Sequence, residues 1–282
     1  MQARRRGVGR AATLPRVTTS PGPLLGAGRT AEVYALGDAR VVKLLRPGFP
    51  DSLGEAEAVA AELTTNAGLE VPRFHGTIRV AGRLGLVYEH IEGPSMLEMV
   101  LARPWTAWRM GRELARLHAA MHDADGTPLP DIRQAMALAI GRVAAADVRD
   151  AALRRLDELP DASSVLHGDF HPANVLMTDA GPRIIDWLTA ASGPAAADVA
   201  RTLLLLRDTP LPRGMAPARR ATVTMLRYVF ARTYLAAYRR ARPVDPHELT
   251  RWRLPILVAR LDEGIAEERV LLTRLIAAEL SN

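Results

Sequence analysis

The chain has 282 residues, 48% of them hydrophobic, which is enough to bury the core of one large domain or of two lobes. Its formal net charge is +6, but acidic and basic residues alternate along most of the chain and only 5% of residues are aromatic, so nucleic acid binding is disfavoured. Cysteine is absent, which excludes disulfides and thiolate metal sites and predicts a cytoplasmic location.

Residues 1–20 are rich in arginine, threonine and serine and show no apolar periodicity. This pattern predicts a flexible basic tail, with a basic contact arm as the alternative. No apolar segment follows it as a signal peptide would require, and no apolar run in the chain approaches the roughly 18 residues that span a bilayer. We therefore predict no membrane partner.

A glycine-containing turn and a single lysine distinguish the next segment. Gly26 and Gly28 precede a strand-like run, and a second predicted strand, residues 40–45, contains Lys43. Lys43 is the only lysine among 37 basic residues. We expect this position to require a compact ammonium, which contacts phosphate oxygens as a point charge where a planar guanidinium does not fit.

A helix is predicted from Ser52, as its cap, to about residue 66, before Gly68. It carries three glutamates, Glu55, Glu57 and Glu62. Residues 73–80 and 83–90 are predicted to be two further strands.

Beyond residue 93 the sequence is mostly helical. Residues 105–121 predict a core helix because apolar residues recur at helical spacing, namely Trp108, Leu114, Leu117 and Met121. His118 of this helix is expected to be a structural, hydrogen-bonded residue. Two helices are predicted within residues 131–159, and further helices follow from residue 195, with breaks at residues 210–212 and 243–246.

The most informative stretch begins with His167, Gly168 and Asp169 and continues after four residues to Asn174. Two short apolar runs then flank the turn formers of residues 178–182, which predicts an antiparallel hairpin. We predict that Val175 faces Ile185 and that Met177 faces Arg183.

This pairing would bring Asn174 next to Asp186, which follows the second strand. Two oxygen ligands at one place suit Mg²⁺, and Asp169 nearby would accept the proton of an attacking hydroxyl.

The spacing His-x-Asp-x-x-x-x-Asn, followed by Ile-Asp-Trp at residues 185–187, resembles the loops of the aminoglycoside phosphotransferase/choline kinase family, the small-molecule branch of the kinase-like fold. The resemblance implies an α+β, protein-kinase-like two-lobed fold. It assigns residues 21–92 to a small antiparallel β N-lobe with one helix and residues 93–282 to a larger, mainly helical C-lobe.

The resemblance also implies a set of site residues. Asp169 and His167 would be catalytic, Asn174 and Asp186 would hold Mg²⁺, and Lys43 would contact the α- and β-phosphates of ATP, with GTP as an alternative.

Further residues would bind the nucleotide. Glu57 would pair with the lysine, with Glu55 as the runner-up. Gly26 and Gly28 would cover the phosphates, although alanine replaces the third glycine of the pattern. The linker residues Glu89 and Ile91 would contact adenine.

The implied activity is transfer of the γ-phosphoryl group of ATP to a hydroxyl of a small molecule, such as an aminoglycoside-like antibiotic or a metabolite. A catalytically weak, regulatory pseudokinase is the alternative. A protein substrate is disfavoured because the short segment between Asp186 and Asp198 holds no activation-segment anchor. The oligomeric state stays open, monomer or dimer.

For Asp198 and for the acidic residues near the C-terminus, the sequence allows two interpretations each. Asp198 would either brace the catalytic loop or cap the following helix. The acidic residues near the C-terminus would either receive a cationic substrate or form a solvated face paired with arginines, and we favour the second; they are Asp262, Glu263, Glu267 and Glu268.

Overall fold

The computed structural model describes residues 21–212 and 214–281, so the predicted tail of residues 1–20 lies outside the described residues. An antiparallel sheet comes first, formed by β1 (Leu24–Ala27), β2 (Ala31–Ala35), β3 (Arg40–Leu45), β4 (Phe74–Val80) and β5 (Arg83–Glu89). The strand order is β1-β2-β3-β5-β4. Lys43 lies on the central strand, opposite Val33 on one side and Leu86 on the other. Strand pairing on both sides therefore fixes the backbone at Lys43.

One helix, α1 (Asp51–Asn66), packs against the sheet. The predicted cap is wrong, because Pro50 occupies the N-cap position and Ser52 lies inside the first turn. Proline fixes an extended entry into the helix, and Asp51 supplies the negative charge that the first turn favours. The helix ends as predicted before Gly68, whose φ of +71° suits glycine.

The remainder of the described chain is mainly helical. Its helices are α2 (Met96–Ala102), α3 (Ala107–Met121), α4 (Ile132–Gly141), α5 (Ala146–Asp157), α6 (Ala195–Asp208), α7 (Pro217–Ala241), α8 (Pro246–Asp262) and α9 (Arg269–Leu280). The main hydrophobic core lies among these helices. The predicted α+β class is confirmed, with a small antiparallel sheet and one helix followed by a larger, mainly helical part.

The prediction that Trp108 belongs to the core is wrong. Leu114, Leu117 and Met121 are buried, but Trp108 is 50% exposed. At 100° per residue, the six residues from Trp108 to Leu114 turn the side chain about 120° away from the buried face. Met110 fills the corresponding part of the core instead.

Four short strands frame the informative stretch: β6 (Ser164–Leu166), β7 (Val175–Thr178), β8 (Gly181–Ile184) and β9 (Ala191–Gly193). Strand β6 pairs with β9, and β7 pairs with β8 as an antiparallel hairpin. The loop after β6 ends in a short 3₁₀ turn, Pro172–Asn174, and the hairpin begins directly after this turn.

The predicted register of this hairpin is wrong by one residue. Val175 faces Ile184 rather than Ile185. Only two residues, 179 and 180, separate the strands, because Gly181 adopts a φ of +107° that permits a tight turn. Asn174 is therefore bonded to Ile185, whose N–H donates to its carbonyl at 3.0 Å, and Asp186 still follows directly.

Among the described residues, no helix is both long enough and apolar enough to cross a membrane.

Candidate active site

The Lys43 ammonium is bound by two carboxylates from distant parts of the chain. Its Nζ lies 2.8 Å from both carboxylate oxygens of Glu57 and 2.6 Å from Oδ1 of Asp186. Burial lowers the pKa of Lys43, but the negative charges of Glu57 and Asp186 outweigh it and raise that pKa overall. The ammonium therefore stays charged. Glu57 is the helix glutamate that meets the lysine, whereas Glu55 is exposed to solvent.

Glycine at position 168 is required by its surroundings. Gly168 has a φ of +77°, and a Cβ there would run into the carbonyl oxygen of Thr189. The Thr189 hydroxyl donates to the His167 carbonyl at 2.9 Å, so this segment packs directly on the loop.

The Asp198 carboxylate braces the same loop from inside the helical part. It accepts the backbone N–H groups of His167 at 2.6 Å and Gly168 at 3.0 Å. Asp198 lies within the first turn of α6, whose N-cap position is held by Pro194. Of the two interpretations, the geometry therefore supports bracing over capping.

Two histidines and two tyrosines surround this buried carboxylate. His118 Nε2 lies 3.1 Å from Asp198, and Tyr234 contacts the other ring nitrogen at 2.7 Å. His122 Nε2 lies 3.5 Å from the same oxygen, and its Nδ1 is 2.7 Å from the Tyr238 hydroxyl. Burial and the neighbouring His122 lower the pKa of His118 to about 3, even though Asp198 opposes the shift. His118 is thus structural and hydrogen-bonded, as predicted.

His167 links the two halves of the site. It is buried, its Nδ1 accepts the Asp169 N–H at 3.3 Å, and its Nε2 lies 3.0 Å from the Ile185 carbonyl. Both ring nitrogens therefore face backbone groups of the loop and the hairpin, and the catalytic role of His167 stays a prediction.

Asp169 is the accessible acid of the loop, with its side chain 33% exposed. Burial raises the pKa of Asp169, but the contact with His171 and the charge of Arg201 outweigh it, and the pKa lies well below its usual range. The carboxylate is therefore ionised at neutral pH and free to accept a hydrogen bond.

Asn174 and Asp186 present oxygens towards the same cleft. The Asn174 side-chain amide donates to the Asp169 carbonyl at 2.9 Å, which leaves its oxygen for another partner. Asp186 has a φ of +67° and a side chain that is 43% exposed. Because a neutral amide oxygen and a carboxylate are hard oxygen donors, this pair fits Mg²⁺.

A cleft of about 490 Å³ lies between the sheet and the hairpin. Every residue that was predicted to bind nucleotide or metal lines it, namely Gly26, Gly28, Lys43, Glu57, Glu89, Ile91, Asn174 and Asp186. Leu176 and Ile184 of the hairpin supply an apolar wall opposite the sheet.

Three residues of the site were not predicted from the sequence. The Tyr88 hydroxyl donates to Glu57 at 3.1 Å, His171 Nε2 lies 3.5 Å from Asp169, and Arg201 donates to the Gly168 carbonyl at 3.1 Å. The short distance from Asp169 along the chain could have drawn attention to His171. Tyr88 and Arg201 lie in ordinary strand and helix patterns that carry no such signal.

A sheet lysine that pairs with a helix glutamate, next to a loop acid and an asparagine–aspartate pair, defines the protein-kinase-like class of phosphotransferases. The profile of the phosphotransferase enzyme family, APH, matches residues 22–244, and the chain belongs to this family. The predicted family and the predicted phosphotransferase activity are thereby confirmed.

Solved structures show the same fold at low identity. An aminoglycoside-3'-phosphotransferase of type VIII aligns at 19% identity and a TM-score of 0.58, over 85% of this chain and 91% of that one. An amicoumacin kinase solved with AMP-PNP and Ca²⁺ aligns at 17% and 0.59, over 91% and 87%. A choline/ethanolamine kinase family protein from Mesorhizobium loti aligns at 18% and 0.58, over 96% and 91%. A search of curated proteins finds no match.

Proposed function

We propose that this protein transfers the γ-phosphoryl group of ATP, or alternatively GTP, to a hydroxyl group of a small molecule with the help of Mg²⁺. The observation that carries the proposal is the contact of Lys43 with both Glu57 and Asp186. It joins the sheet to the hairpin, and Asp169 is near enough to Asp186 for their charges to interact, so a phosphate site and a proton acceptor would lie side by side. Relatives of the same fold have been solved with AMP-PNP and with GDP, which supports a nucleotide cosubstrate.

In this proposal the sheet holds the nucleotide. Lys43 neutralises charge on the phosphates and is kept in place by Glu57, while the backbone at Gly26 and Gly28 covers them. Glu89 and Ile91 flank the adenine at the edge of the cleft.

Asn174 and Asp186 would hold the metal through their free oxygens. When bound, Mg²⁺ supplies charge neutralisation on the phosphate oxygens, which favours nucleotide binding and transfer.

Asp169 orients the acceptor. Its ionised carboxylate accepts the hydrogen bond of the acceptor hydroxyl and takes its proton as the hydroxyl oxygen bonds to the γ-phosphorus. The bond between the γ-phosphorus and the bridging oxygen breaks, and the nucleoside diphosphate leaves. Positioning and electrostatic stabilisation do most of the work in such a transfer.

The acceptor is proposed as an antibiotic or a metabolite that carries a hydroxyl group. The solved relatives include kinases complexed with kanamycin and with streptomycin and a choline/ethanolamine kinase family protein, so antibiotic resistance is one function within this proposal. The lack of cysteine favours the cytoplasm as the place of action.

The isosteric change Asp169→Asn tests the proposal. It should leave nucleotide affinity within about threefold and lower turnover about 10²- to 10⁴-fold, because general base catalysis contributes on that scale. Turnover is measured as release of the nucleoside diphosphate over a panel of hydroxylated antibiotics and metabolites. Nucleotide affinity is measured by calorimetry.

Asp179→Asn is the matched control, since Asp179 lies exposed in the hairpin turn between β7 and β8. Unchanged turnover in Asp169→Asn would remove Asp169 as the base. Tight nucleotide binding without turnover on any acceptor would favour the regulatory pseudokinase instead.

A further inference from the structure

The acidic residues near the C-terminus are paired with arginines. Arg142 binds both carboxylate oxygens of Asp262, with contacts of 2.5 to 3.0 Å. Arg260 binds both oxygens of Glu268 at 2.5 and 2.7 Å. Of the two interpretations of this acidic region, the geometry therefore supports pairing with arginines over a site for a cationic substrate.

A separate cavity of about 240 Å³ lies where α6, α7 and α8 meet. Helix α6 presents two different faces there, because side chains two residues apart point about 200° apart around a helix axis. Asp198 and Thr202 lie on one face and bond to the backbone of the catalytic loop. Ala200, Leu203 and Leu204 lie on the other face and line the cavity. None of the described residues lines both this cavity and the nucleotide cleft, so the two are distinct places in the fold.

The walls of the cavity are mainly apolar side chains that come from all three helices. The largest of them are Leu203, Leu204, Leu235, Leu249, Ile256 and Leu257. Such walls favour a ligand with an apolar part, since burying apolar surface is the main source of its affinity. A cavity of about 150 Å³ holds one benzene ring. The volume of about 240 Å³ therefore has room for one ring or a short branched chain together with a small polar group.

One cationic side chain at the cavity has no partner within the described part of the chain. Arg239 follows Leu235 by one turn of α7, and both residues line the cavity. The Nε atom of Arg239 is buried without a hydrogen-bond partner, and no carboxylate of the described residues lies within 4.0 Å of its guanidinium group. A buried donor that lacks an acceptor has lost its hydration without compensation. A ligand with an anionic acceptor would supply the missing charge-assisted hydrogen bond.

The other charged groups at the cavity do not neutralise Arg239. Arg253 lies 2.7 Å from Glu279 and 3.8 Å from Asp208, so these three groups form one cluster of opposite charges. Burial raises the pKa of Asp208, and the charges of Arg253 and Arg207 oppose that shift. Arg207, Arg239 and Arg253 thus stand against only two carboxylates, and one positive charge is left in excess at the cavity.

We propose that this cavity binds a small carboxylic acid that carries one ring or a short branched chain. The carboxylate pairs with Arg239, and the apolar part packs among the leucine side chains of α6, α7 and α8. A guanidinium group can donate two parallel N–H groups to one carboxylate, which fixes the orientation of the ligand. The site is separate from the site of phosphoryl transfer, and its existence does not depend on the proposed function.

Calorimetry on the whole chain tests the site with phenylacetate as the probe and isovalerate as its branched aliphatic counterpart. Phenylacetamide and phenethylamine share the ring of phenylacetate but are neutral and cationic, and acetate shares only the carboxylate. At least one of the two probes should bind with a dissociation constant on the order of 1 mM. It should bind at least tenfold more tightly than the amide, the amine and acetate, because only the probes offer both the charge and the apolar group.

Arg239→Gln is the central variant. It removes the guanidinium group and should weaken binding of the probe at least tenfold, the scale of a hydrogen bond to a charged group. Because Arg239 has no ion pair to lose, the melting temperature of the ligand-free variant should not fall. Arg240→Gln is the matched control, since this neighbour on α7 is exposed and lies outside the cavity, and it should leave binding unchanged. Leu235→Phe fills the cavity with Arg239 intact and should also weaken binding.

Failure of both probes to bind at about 20 mM, or equal binding of a probe and its uncharged or cationic counterpart, overturns the inference. Undiminished binding in Arg239→Gln overturns it as well, and so does an equal loss in Arg240→Gln, which would indicate unspecific attraction to a basic surface. A lower melting temperature of ligand-free Arg239→Gln would assign the arginine to the structure instead of to a ligand. Full binding in Leu235→Phe would place the ligand outside the cavity.

Discussion

At the scale of single residues, the surroundings of Lys43 explain why this position has the only lysine of a chain whose other Lys/Arg positions are all arginine. Three carboxylate oxygens lie within 2.8 Å of one nitrogen in a buried position. A guanidinium is larger and planar, so it cannot meet the oxygens of Glu57 and Asp186 from one point. The choice of residue follows from the shape of the site as well as its charge.

Lys43→Arg should therefore lower kcat/KM by about 10²-fold or more while preserving the formal charge. The variant should unfold with nearly the free energy of the native protein in urea denaturation, because the positive charge at position 43 still interacts with the carboxylates. Arg40→Lys on the exposed start of the same strand is the control and should leave kcat/KM unchanged. If Lys43→Arg has full activity, the shape argument is wrong.

Sequence alone identified this lysine because it is unique in composition. It could not decide between Glu55 and Glu57, because both occupy the same helix and only the rotation of α1 against the sheet selects one. In the structure Glu57 is buried and Glu55 is exposed. Tyr88, which orients Glu57, lies on a strand whose pattern shows burial but gives no sign of a polar contact.

At the scale of elements, the catalytic loop has little regular structure of its own and is held by its neighbours. Asp198 accepts two of its backbone N–H groups, Arg201 binds the carbonyl of Gly168, and Thr189 packs against the same glycine. Helix α6 and the segment after the hairpin thus fix the position of Asp169 through the backbone.

Gly168→Ala should destabilise the protein more than alanine does at another glycine with a left-handed backbone. Such a conformation costs a non-glycine residue about 1–2 kcal/mol, and at position 168 the added methyl group also collides with the Thr189 carbonyl. We expect a larger loss of unfolding free energy and at least a tenfold loss of turnover.

Gly37→Ala is the matched control, because Gly37 has a similar φ of +70° and nothing within 4 Å of its added Cβ. This variant should lose only the unfolding free energy that the left-handed backbone costs alanine, and it should retain turnover. Equal effects of the two substitutions on unfolding would mean that the Thr189 contact does not constrain the loop.

Element boundaries were predictable where a local signal exists and wrong where a neighbour decides. Gly68 predicted the C-terminal end of α1, and the prolines predicted the breaks between the last helices. The hairpin register was missed because a two-residue turn and a five-residue turn use the same residue types, and only the backbone angle of Gly181 distinguishes them.

At the scale of the whole molecule, the contacts that build the site join residues far apart in sequence. Asp186 reaches Lys43 across 143 positions, His118 reaches Asp198 across 80, and Arg29 meets Glu263 from the opposite end of the described chain. No local pattern encodes such pairs. The resemblance assigned Lys43 and Asp186 to one site without pairing them, whereas the contacts of Arg29 and Arg201 with Glu263 had no precedent in the motifs and appear only in the folded chain.

The buried cluster around His118 makes a prediction about the stability of the entire fold. The ordinary pKa of histidine, about 6.5, applies to the unfolded chain, and the folded-state pKa of His118 is lowered to about 3. As the pH falls through this interval, the unfolded chain binds a proton that the folded protein does not. The contribution of His118 to the free energy of unfolding is therefore fully present above about pH 6.5 and is lost as the pH falls towards 3.

The neighbouring carboxylate does not disturb this window. Several donors hold the pKa of Asp198 below its usual value against the effect of burial, so its contribution to stability is lost only below about pH 4, outside the range between pH 7 and pH 5. Between pH 7 and pH 5 the unfolding free energy should fall by about 2 kcal/mol through His118 alone.

Urea denaturation across this pH range measures the effect, with His118→Gln as the test and His247→Gln, at an exposed position of α8, as the control. The His118→Gln protein should be less stable at pH 7, because the contacts to Asp198 and Tyr234 are weakened, but its stability should vary less between pH 7 and pH 5. The control should retain the slope of the native protein. An undiminished slope in His118→Gln would show that the histidine is not the group that couples stability to pH.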